Sequence, residues 1–272
     1  MPFLVTGATG RVGRCVVDQL LAAGAEVRAL TRHPERAGLP SGVQVVGGDL
    51  DRPDELGAAF AGVTHAYLIA MTADPEALVA AARKAGVRRV VVLSSATAAQ
   101  PGDSWHRAVE KAVEEAGLEW THVRPGMFAA NLLDWAEVIR SGQPVREPIA
   151  AARQAPIHEA DVAAVAVAAL LDDRAAGSIH TISGPESLTK PEQAAALGAA
   201  LGRPVPFEEI DPSEWRTAVS AYLPAEVADW MLGLWTRAAE QPDPVSDTVE
   251  QVTGRPARTL REWADDHREA FR

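Results

Sequence analysis

The sequence predicts an α/β protein built on a doubly wound parallel sheet, with a smaller, mostly helical C-terminal lobe. Three observations predict it. Short β-rich apolar runs alternate with amphipathic helical stretches through the first half of the chain. A glycine-rich turn, Gly7-Ala8-Thr9-Gly10-Arg11-Val12-Gly13, stands between the first apolar run and the first helix. After Pro125 the alternation breaks, and from Pro191 onward the pattern is mostly helical.

Phe3-Leu4-Val5 is the first strand. The helix after it spans 11–23 and stops at Gly24, with Val12, Val16 and Leu20 on one face and Cys15 packed beside them. Strands follow at 27–31 and 43–46, then a helix over 54–60. A strand at 66–70 feeds a helix over 75–85 that stops at Gly86. A strand at 89–93 feeds a helix over 105–116 that stops at Gly117, and a sixth strand covers 120–124. The loops are short, and right-handed crossovers then place helices on both faces of the sheet. Residues 130–156 show no clear period. A helix over 161–171, with Asp161 as its N-cap, and a strand at 179–182 follow. In the helical tail, "VPFEEID" at 205–211 is one extended interruption. The expected layout is a nucleotide-binding core over 1–130, completed by 157–184. A substrate lobe over 131–272 would form the other wall of a cleft.

Composition excludes several classes. A formal charge of −11 argues against a surface that neutralises phosphates, so no nucleic-acid partner is expected. The longest apolar run, 162–171, is too short to span a bilayer, so no membrane partner is expected. One Cys rules out an internal disulfide and fits a reducing compartment. The N-terminus has no basic segment followed by an apolar one, so the expected location is the cytoplasm. Lys is scarce beside Ala and Arg, the usage of a GC-rich bacterial genome. Self-association is left open.

The glycine turn carries the first chemistry. Gly7 allows the tight turn, Gly10 lets backbone N–H groups approach a pyrophosphate, and Gly13 lets the helix pack close to the strand. A strand before and a helix after are the context that makes this a dinucleotide fingerprint, and the core Rossmann-like. At the end of the second strand an acid would bind the ribose 2′-OH of NAD. The residues there are Thr31-Arg32-His33-Pro34, with no acid. Arg32 can pair with a 2′-phosphate, assisted by Arg36, which favours NADP. The alternative is a solvated Arg at a turn. Asp49 either accepts from the adenine amino group or caps the helix that follows.

With these residues the chain resembles the NmrA-like atypical short-chain dehydrogenase/reductases, a group that includes NADPH quinone reductases, phenylpropanoid reductases and nucleotide-sensing regulators. The matching motifs are Gly7 to Gly13, Arg32-His33-Pro34, Gly48-Asp49-Leu50 and Leu93-Ser94-Ser95. To these add His106 to Asn131, His158 to Ala163, and Thr253 to Trp263. The resemblance covers nearly the whole chain. It implies that Thr9, Arg11 and Val12 join the three glycines around the cofactor phosphates, with Asp49 and Leu50 near the adenine. It places Ala70 and Met71 at the ribose, and Ser94, Pro125, Gly126 and Met127 on the nicotinamide side. It makes Asp161 the structural Asp of its helix.

A dehydrogenase of the ordinary kind donates its proton from Tyr, with Lys four residues later lowering the Tyr pKa. Neither Tyr67 nor Tyr222 has such a Lys, so the dyad is absent. By its distance from Thr121, His106 falls where quinone reductases of the group carry a His. On the helix, Val109, Ala112, Val113 and Ala116 form the apolar face, His106 lies at its edge in line with Glu110, and Lys111 points to solvent. His106 is the candidate proton donor, with Glu110 orienting its ring. The alternative is a capping His with no role. No His stands at metal-ligand spacing with a carboxylate, so no metal is expected. His158 and His267 sit in polar contexts. Ser94-Ser95 is not a nucleophile elbow.

Seven Trp is many for this length. Trp120 and Trp263 read as packing. Trp105, Phe128 and Trp135 are candidates for an aromatic substrate wall, with Ser95 and Asn131 as polar anchors. The expected function is NADPH-dependent reduction of a quinone or other conjugated or aromatic carbonyl. The alternatives are a non-catalytic NADP(H) sensor and a redox-neutral isomerase, dehydratase or cyclase on the same fold.

Overall fold

The computed structural model describes residues 1–100 and 105–272. Residues 101–104 lie outside the described residues. In chain order the elements are β1 (Phe3–Val5), α1 (Arg11–Ala22), β2 (Val27–Thr31), β3 (Gln44–Gly47), α2 (Gly57–Phe60), β4 (His65–Ile69), α3 (Pro75–Lys84), β5 (Arg89–Leu93), α4 (Trp105–Glu115) and β6 (Glu119–Pro125). There follow α5 (Ala136–Arg140), β7 (Val145–Glu147), α6 (Glu159–Leu171), β8 (Ser178–Ile182), α7 (Lys190–Leu201), β9 (Phe207–Glu209), α8 (Pro212–Val219), α9 (Ala225–Glu240), α10 (Thr248–Thr253) and α11 (Leu260–Asp266). They group into two compact units. The first holds Met1–Pro125, Glu159–Ile182 and Thr248–Arg255; the second holds Gly126–His158, Ser183–Asp247 and Pro256–Arg272.

The first unit is a seven-stranded sheet in the order β3-β2-β1-β4-β5-β6-β8, parallel at every pairing. Parallel strands need crossovers, and the apolar runs of β2 and β5 are buried along nearly their whole length, as strands covered on both faces must be. Leu4, Ala66, Leu68, Val90 and Val92 face a core shared with α2, α3 and α4. The alternate residues Val5, Tyr67 and Val91 are equally buried and face the other way. On that side α1 packs against α6. Helix α6 is apolar all round and buried at nearly every position, the signature of a helix inside the structure.

The second unit has its own core, with Leu132, Trp135, Ile139, Leu197, Trp263 and Phe271 among its buried residues. Its strands β7 and β9 form a separate parallel pair. Capping boxes start α7 (Thr189 with Glu192) and α11 (Thr259 with Glu262).

Several elements differ from the sequence expectation. The helix expected over 54–60 breaks into a 3-10 turn, Pro53–Glu55, and the short α2, because Gly57 weakens its middle. Helix α6 starts at Glu159, so Asp161 lies in its first turn, buried, and is not the N-cap. The aperiodic 130–156 region holds a 3-10 run (Ala129–Trp135), α5 and β7. Residues 126–130 fall in the second unit, because Ala129 and Ala130 pack into its core. Helix α10 joins the first unit by packing on α6 and β8.

Candidate active site

In a parallel sheet the carboxyl ends of all strands lie along one edge. The turn after β1, Arg32 after β2, Asp49 after β3, Ala70 after β4, Ser94 after β5 and Pro125 at the end of β6 therefore share that edge. The strand order reverses between β1 and β4, and such a switch point is where open α/β sheets bind ligands. Thr6 stitches it closed. Its Oγ1 donates to Tyr67 O (3.1 Å) and accepts from Ile69 N–H (3.0 Å).

The turn is a tight cradle. Gly7 sits at φ +59°, and Gly10 N–H donates to Gly7 O at 2.9 Å. A Cβ on Gly13 would lie 2.1 Å from Gly7 O, so only glycine lets α1 start this close to the loop. Gly10 is the N-cap of α1 and offers no side-chain cap, and the first turn carries no acid. The first N–H groups of α1 are thus left for an anion, which the helix dipole favours. Thr9, Gly10 and Arg11 are exposed around them, while Val12 is buried. The cradle fits a dinucleotide pyrophosphate.

Arg32 is exposed one residue past β2, with no ion-pair partner among the described residues. Arg36 lies 3.7 Å from Glu35. Asp49 Oδ1 accepts from Asp51 N–H (3.2 Å), so Asp49 does shape its turn. Leu50 is buried, and its carbonyl accepts from Thr72 Oγ1 (3.2 Å), tying that turn to the loop after β4. In this loop Ala70 is buried and Met71 is 63% exposed on the rim. Cys15 is only half-buried.

At the end of β5, Ser95 caps a 3-10 turn by accepting from Thr97 N–H (3.2 Å). Ser94 is buried. Its hydroxyl makes no hydrogen bond of normal geometry among the described residues, yet lies close enough to the Glu110 carboxylate to favour its charged form. Trp105 opens α4 largely exposed, and His106 is half-buried beside it. Lys111 is exposed and pairs with Glu115 at 3.6 Å.

Glu110 departs from expectation. It was placed at the edge of the apolar face, orienting His106, but it is fully buried and both of its oxygens are taken by Arg124. Arg124 Nε and Nη2 donate to them at 2.8 and 2.7 Å, and Arg107 adds a contact at 3.2 Å. Burial works against the charged carboxylate. The Arg124 and Ser94 groups, with the charge of His122, outweigh it and hold Glu110 below the usual carboxylate range. Glu114 takes Arg107 at 2.7 and 2.9 Å and His122 at 3.1 Å. Hydrogen bonding from Arg107 is the largest influence that depresses it. His122 is fully buried, and burial lowers its pKa against the pull of the two carboxylates. Glu110, Glu114 and His122 thus bring ligand-type atoms within 4.8 Å of one another, a carboxylate–histidine cluster that spacing along the chain did not show. Its carboxylates already hold two guanidinium groups, so a cation would have to displace one. The cluster had a readable signal: His122 and Arg124 alternate on one face of a strand, and Glu110 and Glu114 stand four apart on a helix.

The remaining candidates lie in the second unit. Gly126 opens it, and Met127 and Phe128 pack partly buried against its core. Asn131 is exposed. Trp135 is a core residue, 8% exposed, and its Nε1–H donates to Glu147 at 3.2 Å. Lys190, which no motif in the sequence marks, is buried. Its Nζ donates to Glu147 at 3.1 Å and sits 3.3 Å over the Trp235 ring. His158 is buried with its Nε2 3.3 Å from Asp266 Oδ2, and His267 stacks on Trp263 at 4.5 Å.

Residues 7–173 match the model of a family described as NAD(P)H-binding. The chain is 42% identical to a (4-alkanoyl-5-oxo-2,5-dihydrofuran-3-yl)methyl phosphate reductase of Streptomyces griseus, covering 98% of each chain. It is 37% identical to an NAD(P)H azoreductase of Xenophilus azovorans, again over 98% of each. Among solved structures, an NADPH-dependent quinone oxidoreductase of Escherichia coli complexed with NADPH superposes with a TM-score of 0.83 at 23% identity, covering 97% of this chain and 99% of that one. No helix among the described residues is long and apolar enough to cross a membrane.

Proposed function

The chain belongs to the NAD(P)H-binding family, and from that premise we propose that it is an NADPH-dependent reductase of the NmrA-like atypical short-chain dehydrogenase/reductase type, acting on a conjugated carbonyl, a quinone or an unsaturated lactone. The observation that carries the reading is the open glycine cradle at the switch point, in a chain that matches named reductases end to end. The dihydrofuranone named for the 42%-identical relative is a ring carbonyl of this kind, and it makes a phosphorylated butenolide the first acceptor to try.

In this reading Gly7, Thr9, Gly10, Arg11, Val12 and Gly13 hold the pyrophosphate. Arg32 pairs with the 2′-phosphate, and its exposure without an ion-pair partner among the described residues supports that role. Asp49 and Leu50 bound the adenine site, Ala70 and Met71 the ribose, and Ser94, Pro125, Gly126 and Met127 the nicotinamide. Bound NADPH supplies a hydride to an electron-poor centre. An acceptor that stabilises the resulting anion needs little help with its proton, which fits a chain without the Tyr–Lys dyad. For other acceptors His106 is the proton donor. Ser95 and Trp105 are the proposed substrate contacts of the first unit, and Phe128 and Asn131 those of the second. Burial of Trp135 in the core of its unit argues against a direct contact.

The test is anaerobic NADPH oxidation against butenolides, enones, quinones and azo dyes, with a no-acceptor control. Turnover of a conjugated carbonyl well above the control is expected. Tight NADPH binding with no turnover on any acceptor would overturn the reading and favour a sensor.

A further inference from the structure

We infer that Glu110 is a positioning residue: buried on the inner face of α4, it grips the Arg124 guanidinium and so sets the carboxyl ends of β5 and β6 for the nicotinamide half of the cofactor. The inference rests on the cofactor placement proposed above.

With the pyrophosphate at the start of α1 and the 2′-phosphate toward Arg32 after β2, the other half of the dinucleotide falls across the switch point, over the ends of β4 and β5. Ser94 ends β5 there. Its N–H donates to Val123 O at 2.8 Å, so Ser94 lies beside Arg124 on the neighbouring strand. Glu110 meets Arg124 directly, taking its guanidinium fork with two bonds, at 2.8 and 2.7 Å. Glu110 stands one helical turn after His106. One carboxylate therefore fastens α4 to the end of β6, and the Ser94–Val123 backbone bond carries that anchor to the end of β5.

A bidentate pair constrains direction as well as distance. A buried ion pair is a poor source of net stability, because desolvating two charges offsets most of their attraction. Its physical use is to fix one arrangement. Here the arrangement is the rim that must meet the reacting ring.

The test compares Glu110→Gln with Glu119→Gln. Glu119 grips buried Arg89 at 2.6 and 3.0 Å, at the opposite, amino ends of the same two strands. Each variant is assayed for thermal stability, NADPH affinity, the fluorescence of bound NADPH and kcat. Reduced nicotinamide fluoresces, and its emission reports how firmly the ring is held. Glu110→Gln should keep NADPH affinity within about threefold, because the cradle and Arg32 are untouched. It should also shift the bound emission toward that of free NADPH and lower kcat about tenfold or more, about 1.4 kcal/mol of barrier. Glu119→Gln should lose stability alone. Equal effects of the two variants on emission and kcat would show that Glu110 only stabilises the fold. Should Glu110→Gln fail to fold, Glu110→Gln/Arg124→Gln leaves no unpaired buried charge. It should restore stability without restoring the emission, and a wild-type emission there would overturn the inference. Wild type that binds NADPH but turns nothing over would sink the reductase reading alone, while the emission comparison still judges Glu110.

Discussion

Alanine at three glycines separates packing, backbone strain and anion binding. At Gly13 a Cβ would sit 2.1 Å from Gly7 O and 2.7 Å from Gly7 C. Real Cβ atoms essentially never come within 3.0 Å of another heavy atom, so α1 or the loop must move by about 0.9 Å. Both partners are backbone, with no flexible end to yield. Overpacking of this kind costs about 1–3 kcal/mol, which for a chain of this size lowers Tm by several degrees. The movement also displaces the N–H groups of the cradle, so NADPH affinity falls with stability. At Gly10 a Cβ would lie 3.2 Å from Gly7 O, a contact met by a shift of a few tenths of an ångström. Gly10→Ala should change Tm little, yet place a methyl where the pyrophosphate approaches, weakening NADPH binding about tenfold or more. Gly24, at φ +77° with nothing within 4 Å of its Cβ position, is the reference. Gly24→Ala should cost about 1–2 kcal/mol from backbone strain alone and leave binding intact. The assay is differential scanning fluorimetry with and without NADPH, beside direct titration of its fluorescence. If Gly10→Ala binds NADPH as tightly as wild type, the turn does not hold the pyrophosphate.

Four further outcomes are expected. Arg32→Ala should collapse the preference for NADPH over NADH by about 1–3 kcal/mol, the value of a charge-assisted phosphate contact, and equal wild-type affinities would refute the assignment. His106→Ala should slow turnover of acceptors that need a proton, by up to about 10²–10⁴-fold if it is the full general acid, and hardly affect quinones. Lys111→Ala, on the solvent face and paired with Glu115, should be silent; loss of activity would mean the helix face is misread. His122 has its pKa lowered chiefly by burial, so the unfolded chain binds its proton first as pH falls. The stability it contributes is present above about pH 6.5 and is lost as pH drops below that value. Burial lowers His65 and His180 too. Tm should fall between pH 7.5 and 5.5, with a shallower slope in His122→Gln, and an unchanged slope would place the titration elsewhere.

Local signals carried most of the first unit. Short-range rules decide them: apolar runs bounded by glycine stops, one spacing per element, and a glycine turn between strand and helix. Once those elements are read, right-handed crossovers leave few sheet orders to choose from, which is why β1 to β6 and the switch point were legible from the chain alone. The fate of charged side chains was not. Glu110 read as the rim of a helix because periodicity describes a helix by itself. It is buried because Arg124, fourteen residues later on the next strand, arrives with a guanidinium fork, and no property of α4 encodes that partner. The same holds for Lys190, buried on Glu147 and Trp235 from β7 and α9, and for Trp135, whose ring fills a core assembled from segments more than a hundred residues apart. Secondary structure follows from residues within a few positions of one another. Burial of a charge depends on what the rest of the chain brings to meet it, and that is decided only when the chain has folded.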